Sequence, residues 1–96
     1  MATKIPTNGP TDVFTLTAGD CSLEGLRAMI GGGYIEFFTF TDGSALMVDE
    51  EGKLKEQPIN EAASALTVLK RRPEVIAGTA IFFSRDEMRK LDEWSV

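Results

Sequence analysis

The pattern of apolar and polar positions along the chain predicts strands and helices in alternation. Residues 13–17 (VFTLT) alternate and are rich in strand-forming side chains, so they predict a first strand. Apolar residues then recur three and four positions apart, which predicts a helix capped at its start by Ser22. They are Leu23, Leu26 and Ile30. We expect the glycines at 31–33 to end this helix, since glycine readily adopts the left-handed backbone that follows many helices.

A β-hairpin is predicted after the glycines. Residues 34–40 form the most strand-like segment of the chain, and residues 45–48 form the returning strand. Asp42 and Gly43 between them have the chemistry of a tight turn. A second, acidic turn spans residues 50–53 and leads into a short extended piece.

The C-terminal part predicts a helix, a strand and a final helix. Pro58 disfavours helix before it, and Asn60 caps a second helix that ends before Pro73. The apolar stripe predicted for this helix comprises Ala62, Ala65, Leu66 and Leu69. Residues 76–83 predict the last strand, and a capping box of Ser84 and Glu87 begins the final helix. The apolar residues of that helix are Met88, Leu91 and Trp94.

Together these elements predict an α+β fold in one small domain. The order is β-α-β-β-α-β-α, with residues 1–11 as a flexible lead-in and residues 12–96 as the domain. Such an order is typical of an antiparallel or mixed sheet with its helices on one face, as in the ferredoxin-like arrangement. A chain of 96 residues is long enough for one core of this kind and too short for two domains.

The composition argues against enzymatic and metal chemistry. The chain has no histidine and a single cysteine, Cys21, so it lacks the usual general base and the commonest transition-metal ligand. A zinc site would need one thiolate plus carboxylates, which is an improbable set of ligands. No histidine is present to activate Cys21 or a serine as a nucleophile. We therefore expect a protein that is not an enzyme and that uses no metal or cofactor.

The charge pattern argues against nucleic acid and membranes as partners. The net charge is −5, from 15 acidic and 10 basic residues, and the dense basic cluster is residues 70–72. Sequence-independent DNA binding needs many phosphate contacts from lysine and arginine. No apolar run approaches the ~20 residues that span a bilayer, and the N-terminus lacks the apolar centre of a signal peptide. The sequence therefore predicts a soluble intracellular protein.

Four short motifs resemble a known family of small domains of unknown function. They are Gly33-Tyr34-Ile35-Glu36, residues 49–54 (DEEGKL), Pro58-Ile59-Asn60 and residues 76–80 (IAGTA). The family is encoded mainly by bacteriophages, prophages, plasmids and other mobile elements, and the resemblance covers roughly residues 23–83. It implies a mobile-element protein that works in the host cytoplasm, but it brings no established activity and no catalytic residues.

The strand at 34–40 is the first candidate binding surface. One face carries Tyr34, Glu36, Phe38 and Phe40, and the other carries Ile35 and Phe37. Since both faces are apolar, either both are covered within the monomer or the aromatic face meets a partner. We favour a partner, either a second copy in a homodimer or a target protein. Glu36 is either a carboxylate with a ligand-binding role or, as we expect, a rim residue paired with a lysine or arginine.

Two further segments invite a ligand-binding interpretation. The glycines at 31–33 resemble a phosphate-binding loop, but they follow a helix and precede a strand, so helix termination is the better interpretation. The acidic segment 49–52 lacks the spaced ligands of a calcium loop and is better interpreted as a solvated turn. For a small nucleotide, Tyr34 is the candidate stacking platform, and Arg27 and Lys53 are the candidate cations.

Three classes of function follow, in order of preference. The first is a phage or mobile-element accessory protein that binds a host protein and inhibits a host system such as a defence. It needs only an apolar face with an acidic rim. The second is an oligomeric protein that sequesters a small nucleotide signal. The third is an enzyme, which fits worst because only carboxylates, lysines and the tyrosine remain as acids or bases.

Overall fold

The computed structural model describes residues 2–17, 22–52 and 55–94, in which the chain forms five strands and three helices. In chain order they are β1 (Ala2–Ile5), β2 (Asp12–Phe14), α1 (Leu23–Met29), β3 (Ile35–Thr39), β4 (Ala45–Asp49), α2 (Glu61–Leu69), β5 (Ala80–Phe83) and α3 (Arg85–Trp94). Apart from β1, this is the predicted order, and the α+β class is confirmed. The first predicted strand is shifted towards the N-terminus, and the last is shortened to its C-terminal half.

The described strands form one sheet in the order β2-β1-β5-β4-β3, and every neighbouring pair is antiparallel. The predicted hairpin is present as β3 and β4. In its turn, the Asp42 carboxylate accepts hydrogen bonds from the backbone N–H and the hydroxyl of Ser44. The strand order differs from the ferredoxin-like arrangement. Strands β4 and β5, which flank α2, are direct neighbours, whereas a split βαβ unit has another strand between such a pair.

Strand β1 lies in the segment that the sequence predicted to be a lead-in without regular structure. Ala2–Ile5 pair with both β2 and β5, so β1 is an interior strand of the sheet. Ala2 and Ile5 are both buried. Four residues carry too little periodicity to predict a strand, and the pairing partners on either side stabilise this one. The prediction is therefore wrong for residues 2–5.

The helices lie on both faces of the sheet, which corrects the prediction that they share one face. One face, which we call the apolar face, is covered by α1 and α3. Its core residues are Ala2, Leu16, Leu26, Ile30, Met47, Ile81, Phe83 and Leu91. The α2 face is covered by α2 and the segment before β5, and its core residues are Ile5, Phe40, Leu46, Val48, Ala63, Ile76 and Ala80. Because side chains alternate along a strand, β4 and β5 supply both cores, and almost all their residues are apolar.

The predicted ends of α1 are confirmed. At its start, the Ser22 hydroxyl accepts a hydrogen bond from the Gly25 N–H (3.0 Å). At its end, Gly31 has a φ of +86°, and the N–H groups of Gly31 and Gly32 donate to carbonyls of the last turn. This is a Schellman motif, in which a residue in the left-handed conformation allows the last carbonyls of a helix to be satisfied.

Helix α3 begins with the predicted pair of Ser84 and Glu87. The Glu87 N–H donates to the Ser84 hydroxyl (3.4 Å), and the hydroxyl donates to the Glu87 carboxylate (2.7 Å). Leu91 is buried in the core of the apolar face, and Met88 packs against the same core. Neither α3 nor any other helix in the described ranges is both long and apolar enough to cross a membrane.

Candidate functional site

Helix α2 is fixed to the sheet by the side chain of Asn60, which precedes the helix and is fully buried. Its amide oxygen accepts a hydrogen bond from the Ala63 N–H (3.0 Å), which confirms the predicted cap. Its amide nitrogen donates to the carbonyls of Ile5 (2.8 Å) and Gly78 (3.0 Å). One side chain therefore joins the start of α2 to the end of β1 and to the segment leading into β5.

The inner side of α2 is partly polar. Thr67 is fully buried, and its hydroxyl accepts a hydrogen bond from the Glu74 N–H (2.9 Å) and donates to the Ser64 carbonyl (2.6 Å). The Ser64 hydroxyl accepts from the Ile76 N–H (2.9 Å). The segment 74–76 is thus held along α2 by hydrogen bonds to two side-chain hydroxyls.

This docking corrects the apolar stripe predicted for α2. Of its four residues, Leu66 alone packs against the core, and it is half-buried. Ala62, Ala65 and Leu69 are exposed, whereas the buried residues are Ala63 and Thr67. The helix is apolar around most of its circumference, so apolar spacing could not select its inner side. The hydrogen bonds to segment 74–76 select it instead.

The outer side of α2 is an exposed apolar surface. Val68 is 59% exposed, Leu69 79% and Val75 53%. With Ala65 and Pro73 they form what we call the α2 surface. Val68 and Val75 line an open groove of about 450 Å³ there. Clustered exposed apolar side chains are typical of sites where a protein meets a partner.

Arg71 ends α2 in a conformation that usually requires glycine. Its φ is +61°, and the N–H groups of Arg71 and Arg72 donate to the carbonyls of Val68 (3.0 Å) and Thr67 (2.9 Å). Helix α1 ends in the same Schellman motif with Gly31 at the corresponding position. A Cβ atom in this conformation costs about 1 kcal/mol or more. The strained Arg71 is exposed beside the α2 surface.

The other two residues of the basic cluster, Lys70 and Arg72, are bound to the hairpin formed by β3 and β4. Lys70 forms an ion pair with Asp42, with 2.5 Å between Nζ and Oδ2. Arg72 donates to the Thr39 carbonyl (2.9 Å), and its guanidinium lies 5.1 Å from the centre of the Phe38 ring. The side chain of Arg71, between them, makes no ion pair, hydrogen bond or ring contact within the described residues.

An acidic cleft of about 210 Å³ adjoins the α2 surface. It lies between β3, β4 and the segment before β5, and it is lined by Glu36, Glu50 and Glu74 together with Phe38 and Ile76. Glu36 is half-buried and forms no ion pair within the described residues, so the predicted basic partner is not found there. The described ranges contain no group of three or more His, Cys, Asp or Glu side chains that could hold a metal ion.

Asp49 organises the turn after β4, which the sequence predicted to be solvated. Its side chain is 1% exposed. The carboxylate accepts hydrogen bonds from Lys55 Nζ (2.8 Å), the Glu51 N–H (2.9 Å) and Gln57 Nε2 (3.3 Å). Burial acts to raise the pKa of Asp49, but these hydrogen bonds, that from Lys55 foremost, hold it below its ordinary value. We conclude that Asp49 has a structural role.

The structure brings together two residues predicted for a nucleotide site. The Arg27 guanidinium lies 5.2 Å from the centre of the Tyr34 ring, and Tyr34 is 57% exposed. Arg27 Nε is buried and makes no hydrogen bond within the described part of the chain. The third predicted residue, Lys53, lies outside the described residues.

The remaining predicted site residues do not form an open aromatic face. Phe40 is buried in the core of the α2 face, and Phe38 is half-buried beneath Arg72. Glu36 lines the acidic cleft. This side of the strand is therefore largely covered within the monomer, whereas the apolar pattern of the strand had favoured a partner on this face.

Sequence patterns did not predict Val68, Val75 or Arg71 as site residues. A signal for Val68 does exist. As a helix, residues 62–69 (AASALTVL) are apolar on more sides than one core can cover. No comparable signal exists for Arg71, because an arginine after a helix carries no mark of a left-handed backbone.

A family model described as "Domain of unknown function (DUF3846)" matches residues 5–94, which is nearly the whole chain. No curated protein and no solved structure matches the chain. The comparisons therefore assign no activity, and the geometry of the surface is the basis for a functional proposal.

Proposed function

The chain belongs to this family of domains of unknown function, and we propose that it acts without catalysis, by binding another protein through the α2 surface. The observation that carries the proposal is the exposure of Val68, Leu69 and Val75, each more than half exposed, with Val68 and Val75 lining one groove. The proposed partner is a host protein in the host cytoplasm. The chain itself is proposed to come from a phage or another mobile element and to inhibit a host defence, an origin that rests on the motif resemblance.

The α2 surface has the features of a protein interface. Its centre is apolar, and its groove is large enough to accept a partner's side chain. Glu74 lines one side of this surface, and Arg71 lies at the end of the helix on the other. Interfaces of this kind gain most affinity from a few buried apolar or arginine side chains, while charges at the rim orient the partner.

The strained conformation of Arg71 supports the proposal independently. Backbone strain persists where the surrounding structure compels it, and it is concentrated at functional sites. Glycine would end α2 without this strain, as Gly31 does for α1. We therefore assign Arg71 a contact with the partner, since arginine is enriched among the residues that dominate binding energy.

Differential affinity capture tests the proposal. The full chain serves as bait in host lysate, beside a Val68→Ser/Leu69→Ser double variant and a Val13→Ser control. Val13 is 54% exposed, lies on the edge strand β2 and does not line the groove of the α2 surface. We expect the wild type and the control to recover the same partner and the double variant to lose it. All three should unfold with nearly the same free energy, because the changed side chains are exposed.

The Arg71→Gly variant sharpens the test, because its two effects have opposite signs. Release of the left-handed strain should raise the free energy of unfolding by about 1 kcal/mol, measured by urea denaturation. Loss of the guanidinium should weaken binding of the captured partner about tenfold or more. The proposal is wrong if the double variant captures the partner as well as the wild type does, or if the wild type captures no protein.

A second candidate function, binding of a small nucleotide, is favoured by the Arg27–Tyr34 pair. An exposed aromatic ring beside a guanidinium is suited to stack on a base and to attract phosphate. We rank this function second because, in the described ranges, Arg27 is the one cation that lies over the Tyr34 ring. Lys55, whose Nζ lies beside Gly33, is paired with Asp49. Native mass spectrometry of the purified protein tests it. A retained nucleotide that disappears in Tyr34→Ala, together with failed lysate capture, would reverse the ranking.

A further inference from the structure

The two edges of the sheet differ in their protection. Strand β2 is three residues long and closely follows Pro10. Strand β3, at the opposite edge, is five residues long, contains no proline or lysine, and pairs with β4 without a bulge. Proteins usually protect sheet edges with short strands, proline, lysine or bulges. No strand of the described residues pairs with the outer edge of β3, which is therefore available to another strand.

The backbone groups on this edge belong to alternate residues of β3. At the two ends of the strand, the Tyr34 carbonyl and the Phe40 N–H bond towards β4. This direction alternates along an antiparallel pair. The backbone N–H and C=O groups of the odd-numbered residues between Tyr34 and Phe40 therefore point away from β4. These residues are Ile35, Phe37 and Thr39. Of their backbone groups, the Thr39 carbonyl alone has a partner among the described residues, namely Arg72.

We propose that the outer edge of β3 pairs antiparallel with β3 of a second copy of this chain, which gives a symmetric dimer with one continuous sheet. The two-fold axis passes through Phe37. In this register Phe37 lies opposite Phe37 of the second copy, and Ile35 lies opposite Thr39, so every outward-pointing residue of the strand is paired. A register centred on Glu36 pairs fewer of these groups and places two carboxylates directly opposite each other.

The charges favour the same register. Glu36 comes to lie opposite Phe38 of the second copy, whose ring lies beneath the Arg72 guanidinium. Each Glu36, which has no ion pair within the described residues, thereby gains an arginine neighbour. In the dimer the Thr39 carbonyl accepts a hydrogen bond from the Ile35 N–H of the second copy. Its hydrogen bond from Arg72 is then either lost or kept beside the new one. The dimer thus brings to the acidic cleft a cation, which the described residues lining the cleft in one chain do not include.

The β3 edge and Arg72 adjoin the α2 surface but include none of its five residues, so the dimer is tested independently of the proposed function. Sedimentation from micromolar to millimolar concentration compares the wild type with Glu36→Arg, with Arg72→Glu and with the combined exchange. Each single reversal should weaken the dimer about tenfold, because two symmetric contacts become repulsive. The combined exchange should restore it. Glu50→Arg is the control, since Glu50 lines the same cleft but lies outside β3.

Amide hydrogen exchange gives a second readout that needs no variant. The Phe37 amide should become protected as concentration rises, whereas the Phe38 amide, which already bonds to β4, should not change. A chain that stays monomeric at millimolar concentration refutes the proposal. So does a dimer that is insensitive to Glu36→Arg, a dimer strengthened by Arg72→Glu, or a foreign peptide found on this edge.

Discussion

The two faces of the sheet are closed by different kinds of interaction. On the apolar face, α1 and α3 cover large side chains such as Phe83, Met47 and Ile81, which are fully buried. On the α2 face, the fully buried residues include Asn60 and Thr67, whose hydrogen bonds fix α2 and the segment beside it. A helix that docks by apolar packing buries its apolar side, whereas a helix that docks through hydrogen bonds can leave apolar side chains exposed. Polar docking therefore leaves the apolar side chains of α2 free to form an exposed surface.

The largest expected effect is on the apolar face, at Phe83. Phe83→Ala should lower the free energy of unfolding by about 4 kcal/mol, because it leaves a cavity beneath α1 and α3. Urea denaturation followed by circular dichroism measures the loss. Phe82→Ala is the matched control on the α2 face, where the ring is half-buried, and it should cost less than half as much. Equal losses would contradict the contrast between the faces.

Asn60→Ala should produce the next largest loss, about 3 kcal/mol, because it leaves one N–H and two carbonyls without their partner. Asn60→Asp separates the two roles of this side chain. Aspartate can still accept from the Ala63 N–H, but it cannot donate to the Ile5 and Gly78 carbonyls. We expect it to be nearly as unstable as the alanine variant. An Asn60→Asp protein with wild-type stability would show that Asn60 is a helix cap and nothing more.

Thr67→Val tests the docking of segment 74–76 and should cost about 2 kcal/mol, because it removes the hydroxyl and leaves the Glu74 N–H unsatisfied. Thr67→Ser keeps the hydroxyl and should cost less than half of that. Hydrogen exchange of the Glu74 amide should accelerate in the valine variant and stay slow in the serine variant. A valine variant more stable than the wild type would mean that this side of α2 prefers apolar packing.

A smaller effect concerns Asp49, a buried charge at the end of β4. Since its folded pKa lies below the ordinary value of 3.8, its stabilisation is complete above that value and is lost as the pH falls towards the folded pKa. Asp49→Asn should therefore cost about 1 kcal/mol at neutral pH, and the difference from the wild type should shrink on acidification. Urea denaturation at a series of pH values measures the difference in the free energy of unfolding between the two proteins.

Asp42→Asn is the control for the pH experiment. The hydrogen bond from Lys70, followed by those from Ser44, also holds the pKa of Asp42 well below its usual range. Its side chain is 52% exposed, however, so water screens the ion pair, and we expect a smaller effect. A larger pH dependence from Asp42 than from Asp49 would contradict the structural role of the buried carboxylate.

Local signals were sufficient for features contained within a few residues. The caps at Ser22 and Asn60, the hairpin turn at Asp42 and the end of α1 at Gly31 were all predicted, because each depends on the chemistry of neighbouring positions. The α2 surface was not predicted. Leu69 was assigned to the inner side of the helix, and it is the most exposed of the large apolar residues there.

By itself the sequence determined the α+β class, the order of most strands and helices, and the absence of histidine, which narrows the available chemistry. Only the tertiary structure decided the strand order, the covering of both faces and the side of α2 that meets solvent. These depend on contacts between distant residues, such as the bond from Asn60 to the Ile5 carbonyl, 55 positions away. A local pattern specifies neither partner in such a bond, so it cannot specify the surface that the bond leaves exposed.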